Sequence, residues 1–209
     1  MTLPKYGITG MKRNDKDPAR IGIFGGSFNP VHKGHVAAAD FFAAELRLDL
    51  LYVIPTFVSP LKSALSASGR DRLEMLKIAF ANREKVVVSD IELRREGTSY
   101  TCDTVKAIRE KHPKSKLFYL IGDDWLEGFT RWQNYEYILE NVTLAVADRG
   151  GGDIKSKAEK FFEQTGSRAV LLGNSVTAVS SSEIRASVGK DLLPEGVYDY
   201  IRAKGLYEQ

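Results

Sequence analysis

Two of the chain's three histidines, His32 and His35, stand three residues apart in the segment Gly22-Ile23-Phe24-Gly25-Gly26-Ser27-Phe28-Asn29-Pro30-Val31-His32-Lys33-Gly34-His35. The segment follows a β-rich run and opens a helical one. Gly25 and Gly26 permit close approach of backbone to a ligand. The N–H groups at the start of a helix point at any anion held above them, and two imidazoles on one turn add directed donors. That is the chemistry of a phosphate site. It is neither the dinucleotide fingerprint G-x-G-x-x-G nor a P-loop, so redox and P-loop chemistry lose their main support. A structural account of the pair also exists, a helix-capping histidine beside a core one. A zinc site is the weaker idea, because no nearby Cys or third His completes two ligands at that spacing.

A second anion site is suggested far along the chain by Val179-Ser180-Ser181-Ser182-Glu183-Ile184-Arg185. Serines precede a short helical pattern and Arg185 lies one turn in, so hydroxyls, N–H groups and a guanidinium could face a phosphate together. The same letters spell an ordinary capping box, Ser180 with Glu183, and taken alone the segment favours that reading. Lys62, after Pro60 in the loop beyond the second β-rich run, is a third cationic candidate of a kind usually just solvated.

These residues need a scaffold, and the pattern between them supplies one. Short β-rich runs at Ile21–Phe24, Leu50–Ile54, Val86–Ser89, Leu117–Ile121, Thr143–Ala147 and Ala169–Leu172 alternate with helical spacing over Gly34–Leu48, Arg70–Ala81, Ser99–Lys111, Thr130–Glu140 and Asp153–Gln164. Such alternation predicts an α/β fold, a doubly wound and mostly parallel sheet in a single domain, with ligands beyond the carboxyl ends of the strands where the strand order reverses. Pro194–Lys204 reads as a last helix that Gly205 ends. Residues 1–20 show neither periodicity and are expected to be a mobile tail, which leaves 21–209 as the working domain. Arg149 to Gly152 reads as a lid or turn.

Composition narrows the classes. The 209 residues are 43% hydrophobic and 27% charged, enough for one core. A net charge of +3, from 30 Lys plus Arg against 27 Asp plus Glu, is too small to announce a nucleic-acid or membrane partner, so any bound anion must be met locally. One cysteine, Cys102, cannot form an internal disulfide or a cysteine-rich zinc cluster, and a reducing cytoplasm fits. No run is long and apolar enough to cross a bilayer, and no secretory signal is expected.

Taken together, the G-x-F-G-G-S-F-N-P-x-H-x-G-H and S-S-S-x-I-R stretches resemble the H-x-G-H nucleotidyltransferase superfamily. Within it, the chain resembles the bacterial nicotinate-nucleotide adenylyltransferases through Glu92-Leu93, Gly97-Thr98-Ser99-Tyr100-Thr101-Cys102-Asp103-Thr104 and Gly122-Asp123-Asp124-Trp125-Leu126 with Phe129 and Trp132. The C-terminal Val197-Tyr198-Asp199-Tyr200-Ile201 and Gly205-Leu206-Tyr207 add to it. The likeness runs from Ile21 to Tyr207. It implies transfer of the adenylyl group of ATP to nicotinate mononucleotide, with His32, His35 and Arg185 catalytic. On the same ground Gly25, Gly26, Ser27, Phe28, Lys62, Ser181 and Ser182 would join them around ATP. Tyr100, Thr101, Asp124 and Trp132 would form the pyridine-nucleotide pocket with Trp132 stacked on the base, and Arg149 would lie on a lid over it. Mg²⁺ would come bound mainly through the ATP phosphates, with no dedicated protein metal site.

Bland accounts accompany these roles: Trp132 as core, Tyr100 as a helix anchor, Asp124 as a cap. The chain also departs from the family pattern. Asn29 stands where many relatives have Asp, Ser182 replaces the usual Thr and Thr98 the usual Pro. Leu61, where relatives often have His, cannot donate to a phosphate. Adenylyl transfer to nicotinamide mononucleotide or phosphopantetheine, and a non-catalytic nucleotide sensor, are the alternatives; a homo-oligomer is compatible with the sequence.

Overall fold

The N-terminal strand β1 (Arg20–Gly26) sits in the middle of the sheet because its sequence RIGIFGG is apolar on both faces, as a strand covered twice must be. The computed structural model describes residues 18–58, 66–148, 152–173, 181–186 and 190–207. Within them β2 (Leu50–Pro55), β3 (Val86–Val88), β4 (Lys116–Gly122), β5 (Thr143–Ala147) and β6 (Val170–Leu172) join β1 in the order β3-β2-β1-β4-β5-β6. Every pairing is parallel. The doubly wound α/β fold expected from the alternation is therefore present, and its order reverses between β1 and β4, where such sheets bind ligands.

Side chains alternate between two cores, as the pleat requires. Leu51, Val53, Phe118 and Leu120 face α1 (Lys33–Glu45) and α2 (Gly69–Phe80). Tyr52, Ile54, Tyr119 and Ile121 face the layer that holds α4 (Thr101–Lys111), α5 (Tyr135–Asn141) and α6 (Ile154–Thr165). The short helix α7 (Ser181–Ala186) and α8 (Val197–Lys204) join the first layer through Ile184, Val197 and Ile201.

Strand bounds agree with the sequence reading to within two residues, and other elements differ from it. Order begins before Ile21: the Ala19 carbonyl accepts from Lys116 N at 2.8 Å and Arg20 N donates to Asp49 Oδ2 at 2.7 Å. Arg20, placed in the tail by the sequence reading, is thus part of the fold, and residues 1–17 lie outside the described residues. The helix expected from Thr130 starts only at Tyr135, because Trp132 is extended and Asn134 is left-handed at φ 49°; a 3-10 turn, Phe129–Arg131, carries the apolar spacing before it. A five-residue helix, α3 (Ile91–Arg95), was not expected. The final helix starts at Val197 rather than Pro194, and Gly205, left-handed at φ 59°, ends it as foreseen.

Candidate active site

His32 caps α1, and His35 caps it back. His32 Nδ1 accepts from His35 N at 3.2 Å while His35 Nδ1 accepts from His32 N at 3.3 Å, and the two rings stack with centroids 3.6 Å apart. This is the reciprocal geometry of a capping box with imidazoles in both places. Because both Nδ1 atoms accept, each neutral ring carries its proton on Nε2, which turns both imidazoles into Nε2–H donors. The capping account is realised, and the phosphate account is compatible with it. His32 is buried, His35 is half-buried, and Phe28 packs edge-on against the His35 ring at 4.9 Å.

The glycine-rich turn packs closely against protein where a side chain would stand, beside the backbone approach to a ligand expected of Gly25 and Gly26. A Cβ on Gly25 would lie 2.5 Å from the Tyr119 hydroxyl oxygen, and one on Gly26 would lie 3.1 Å from the Phe28 ring. Phe28 is left-handed at φ 46° and buried. The Ser27 carbonyl is held from behind by Arg72 Nη1 at 2.8 Å.

Arg185 reaches this turn from the other end of the chain. Its Nη1 donates to the Asn29 carbonyl at 2.8 Å and its Nη2 to Ser182 Oγ at 3.1 Å, while Ser181 Oγ donates to the Pro30 carbonyl at 3.1 Å. The two candidate anion segments, some 150 residues apart in sequence, therefore meet on the cis Asn29-Pro30 step just before the histidine pair. Ser181 tethers the segment to the Pro30 carbonyl; Ser180 of the expected capping box lies outside the described residues.

Asn29 is a hub that sequence reasoning missed. Its Oδ1 accepts from Ala67 N at 3.2 Å and from the Tyr207 hydroxyl at 2.8 Å, and its Nδ2 donates to Ser66 Oγ at 3.2 Å. An aspartate there could keep the first two bonds but could not donate to Ser66, which gives the departure at this position a structural use.

On the other side of β1, Tyr100 and Thr101 open α4. Ser99 fixes them: its N–H donates to the Val58 carbonyl at 2.8 Å and its Oγ accepts from Phe57 N at 2.9 Å. The helix therefore begins at Thr101 rather than at Ser99. Beneath it, buried Glu92 accepts from Thr104 Oγ1 at 2.6 Å, and burial pushes its carboxyl pKa up. Asp124 is exposed in the 3-10 turn Asp123–Trp125 that follows β4. Trp132 is half-buried, packed on Phe129 at 4.9 Å and edge-on to Trp125 and Tyr119. Its indole Nε1 is buried with no hydrogen-bond partner among the described residues. Lys157 pairs with Asp123 Oδ2 at 2.6 Å, tying α6 to the end of β4. Lys62, Leu61 and Arg149 lie outside the described residues.

Burial raises the Tyr119 and Tyr207 hydroxyl pKa values above the tyrosine norm, against smaller lowering effects from Thr101 for the first and from Arg72 and Arg185 for the second. The folded state therefore keeps phenolic protons that the unfolded chain releases near pH ~10. Stability from this source is fully present below that pH and is lost as pH rises above it. Urea titrations at pH 8 to 11 are expected to show the fall, and Tyr119→Phe to make it shallower.

Comparisons with known proteins give the chain's family. A family model described as cytidylyltransferase-like matches residues 23–187. A Neisseria meningitidis protein named "Probable nicotinate-nucleotide adenylyltransferase" is 36% identical over 195 residues, covering 91% of this chain and 99% of that protein. The chain belongs to the nicotinate-nucleotide adenylyltransferase family. A Bordetella petrii protein of the same name is 37% identical over 195 residues, covering 90% of this chain and 98% of that one. The fold matches a Plasmodium falciparum nicotinic acid mononucleotide adenylyltransferase complexed with NaAD at a TM-score of 0.75 and 22% identity, covering 90% of this chain and 97% of that one. As a family member, the chain carries the H-x-G-H histidines on the switch-point turn of its sheet. Among the described residues no helix is long and apolar enough to cross a membrane.

Proposed function

We propose that this chain transfers the adenylyl group of ATP to nicotinate mononucleotide, forming nicotinate adenine dinucleotide and releasing pyrophosphate. The observation that supports it most is the meeting of Arg185 with the Asn29 carbonyl at 2.8 Å, which sets a guanidinium on the turn that leads into His32 and His35. The reaction needs two polyanions held in line and a leaving group stabilised, which is work for positioned cations and N–H donors. The acceptor phosphate has its second pKa near ~6, so it is largely ionised at neutral pH and needs no general base.

On the ATP side, the Gly25–Phe28 backbone and the Nε2–H groups of His32 and His35 bind the phosphates. Arg185 closes the cradle from α7 with Ser181 and Ser182, and Lys62 is assigned to the outer phosphates. On the acceptor side, Tyr100, Thr101, Asp124 and Trp132 hold the pyridine nucleotide, under the lid assigned to Arg149. His35 is the transition-state donor to the departing pyrophosphate. The domain expected over 21–209, which β1 begins at Arg20, acts as one unit, and the buried, unpaired Cys102 suits a reducing cytoplasm.

No group of three or more His, Cys, Asp or Glu side chains is placed to hold a metal ion among the described residues. Mg²⁺ would be carried in on ATP with several waters retained. Bound there, the ion neutralises phosphate charge.

Arg185→Lys tests the guanidinium. A lysine cannot reproduce the fork to Asn29 and Ser182, and kcat/KM is expected to fall about tenfold or more. The function itself is tested by pyrophosphate release with ATP, Mg²⁺ and each of nicotinate mononucleotide, nicotinamide mononucleotide and phosphopantetheine. The acid is expected to be preferred. Preference for phosphopantetheine would overturn the pyridine assignment, and ATP binding without pyrophosphate release would make the protein a sensor.

A further inference from the structure

Tyr119 touches both halves of the site. It pairs in register with Ile23 of β1, and Gly25 lies two residues further along that strand, roughly 6.6 Å on. A phenol leaning along the sheet spans that step, which is why its hydroxyl oxygen fills the place of a Gly25 side chain, 2.5 Å from where the Cβ would stand. The same oxygen lies 3.4 Å from Thr101 Oγ1 at the first turn of α4, and the ring meets the Trp132 indole edge-on at 6.3 Å. Tyr119 is buried, so nothing in solvent competes for these contacts.

We propose that Tyr119 is a positioning residue whose hydroxyl, wedged between Gly25 and Thr101, sets the separation of the ATP cradle from the acceptor pocket and so the distance over which the acceptor phosphate attacks. The assignment rests on the proposed adenylyl transfer and adds to it a residue that touches neither substrate. It also gives Gly25 a second reason beside the ligand: a larger residue would collide with the wedge. The collision is with one atom, because the next Tyr119 atom, Cζ, stands 3.5 Å from the same Cβ position, an ordinary contact.

That single-atom fit makes a sharp test. Misplacement of reacting groups by a fraction of an ångström is costly, and Tyr119→Phe is expected to lower kcat about fivefold with KM for ATP and acceptor within about twofold. Gly25→Ala, which forces the methyl onto the hydroxyl, is expected to lower kcat about tenfold or more. Gly25→Ala combined with Tyr119→Phe is expected to return to the level of Tyr119→Phe alone, because the colliding oxygen is gone. The same rescue should appear in the melting temperatures of the four proteins, which need no substrate. Wild-type kcat in Tyr119→Phe, a loss in KM alone, or a double variant impaired by the product of the two single losses would overturn the inference. Failure of the wild type to turn over nicotinate mononucleotide would instead count against the proposed function, with the melting temperatures still reporting the contact.

Discussion

His35→Ala is expected to lower kcat about 10²-fold or more while ATP still binds, the usual result of removing one preorganised donor from a developing negative charge. The residue has a second task, and the two can be separated. His35 Nδ1 accepts the His32 N–H at 3.3 Å, so alanine also removes half of the α1 cap. A lost cap costs about 1 kcal/mol, roughly 2–4 °C in Tm for a chain of this size. Glutamine is a favoured residue at this position of a capping box because its side chain can reach back to the cap N–H. His35→Gln should therefore restore most of the lost Tm, and kcat only as far as its amide N–H stands in for the imidazole Nε2–H as donor. Steady-state kinetics and thermal melts of the two variants check both halves. Near-normal turnover in His35→Ala with unchanged ATP binding would remove His35 from the chemistry and leave it a cap.

Arg72→Met is expected to be the most damaging change to stability, at about 3 kcal/mol, or roughly 6–12 °C in Tm. Arg72 is 1% exposed, and burial holds its guanidinium pKa below the usual arginine value. It donates to the Ser27 carbonyl at 2.8 Å and to the Ala67 carbonyl at 3.3 Å. Methionine fills much of the volume but leaves both carbonyls without this donor, and a buried acceptor left unmade costs its desolvation. Lysine cannot span the two carbonyls with one ammonium. Since Ser27 belongs to the proposed ATP turn, Arg72→Met should also raise KM for ATP more than KM for the acceptor. Chemical denaturation reads the first effect and initial-rate kinetics the second. Equal changes in both KM values would mean that Arg72 supports the fold without shaping the turn.

The strands were legible because each is a compact apolar run bounded by turn residues, and the order of elements was enough for a doubly wound sheet. What escaped the sequence depends on distances between remote residues. Arg72 sits in the ordinary helical pattern of Arg70–Ala81, and only the Ser27 carbonyl, 45 residues away, shows that it points inward. The Asn29–Tyr207 bond joins residues separated by 178 positions. Tyr119 reads as one more apolar strand residue until the register sets it beside Ile23. Imidazoles are not favoured caps, so the reciprocal His32–His35 cap could be named as an alternative but not built. The helix α3 has five residues, too few to show a period. The turn before α1 stood out because glycine, histidine and a helix start fall within one short segment.

The central claim is that the turn bearing His32 and His35 and the helix bearing Arg185 act on one nucleoside triphosphate. A crystal structure of the protein with a non-hydrolysable ATP analogue, Mg²⁺ and nicotinate mononucleotide tests it most directly. The account predicts phosphate oxygens within hydrogen-bond distance of the His35 Nε2 and of the Arg185 guanidinium, with the acceptor phosphate in line behind the α-phosphorus. Triphosphate density lying beyond reach of either group, or an acceptor bound away from Thr101 and Trp132, would contradict it.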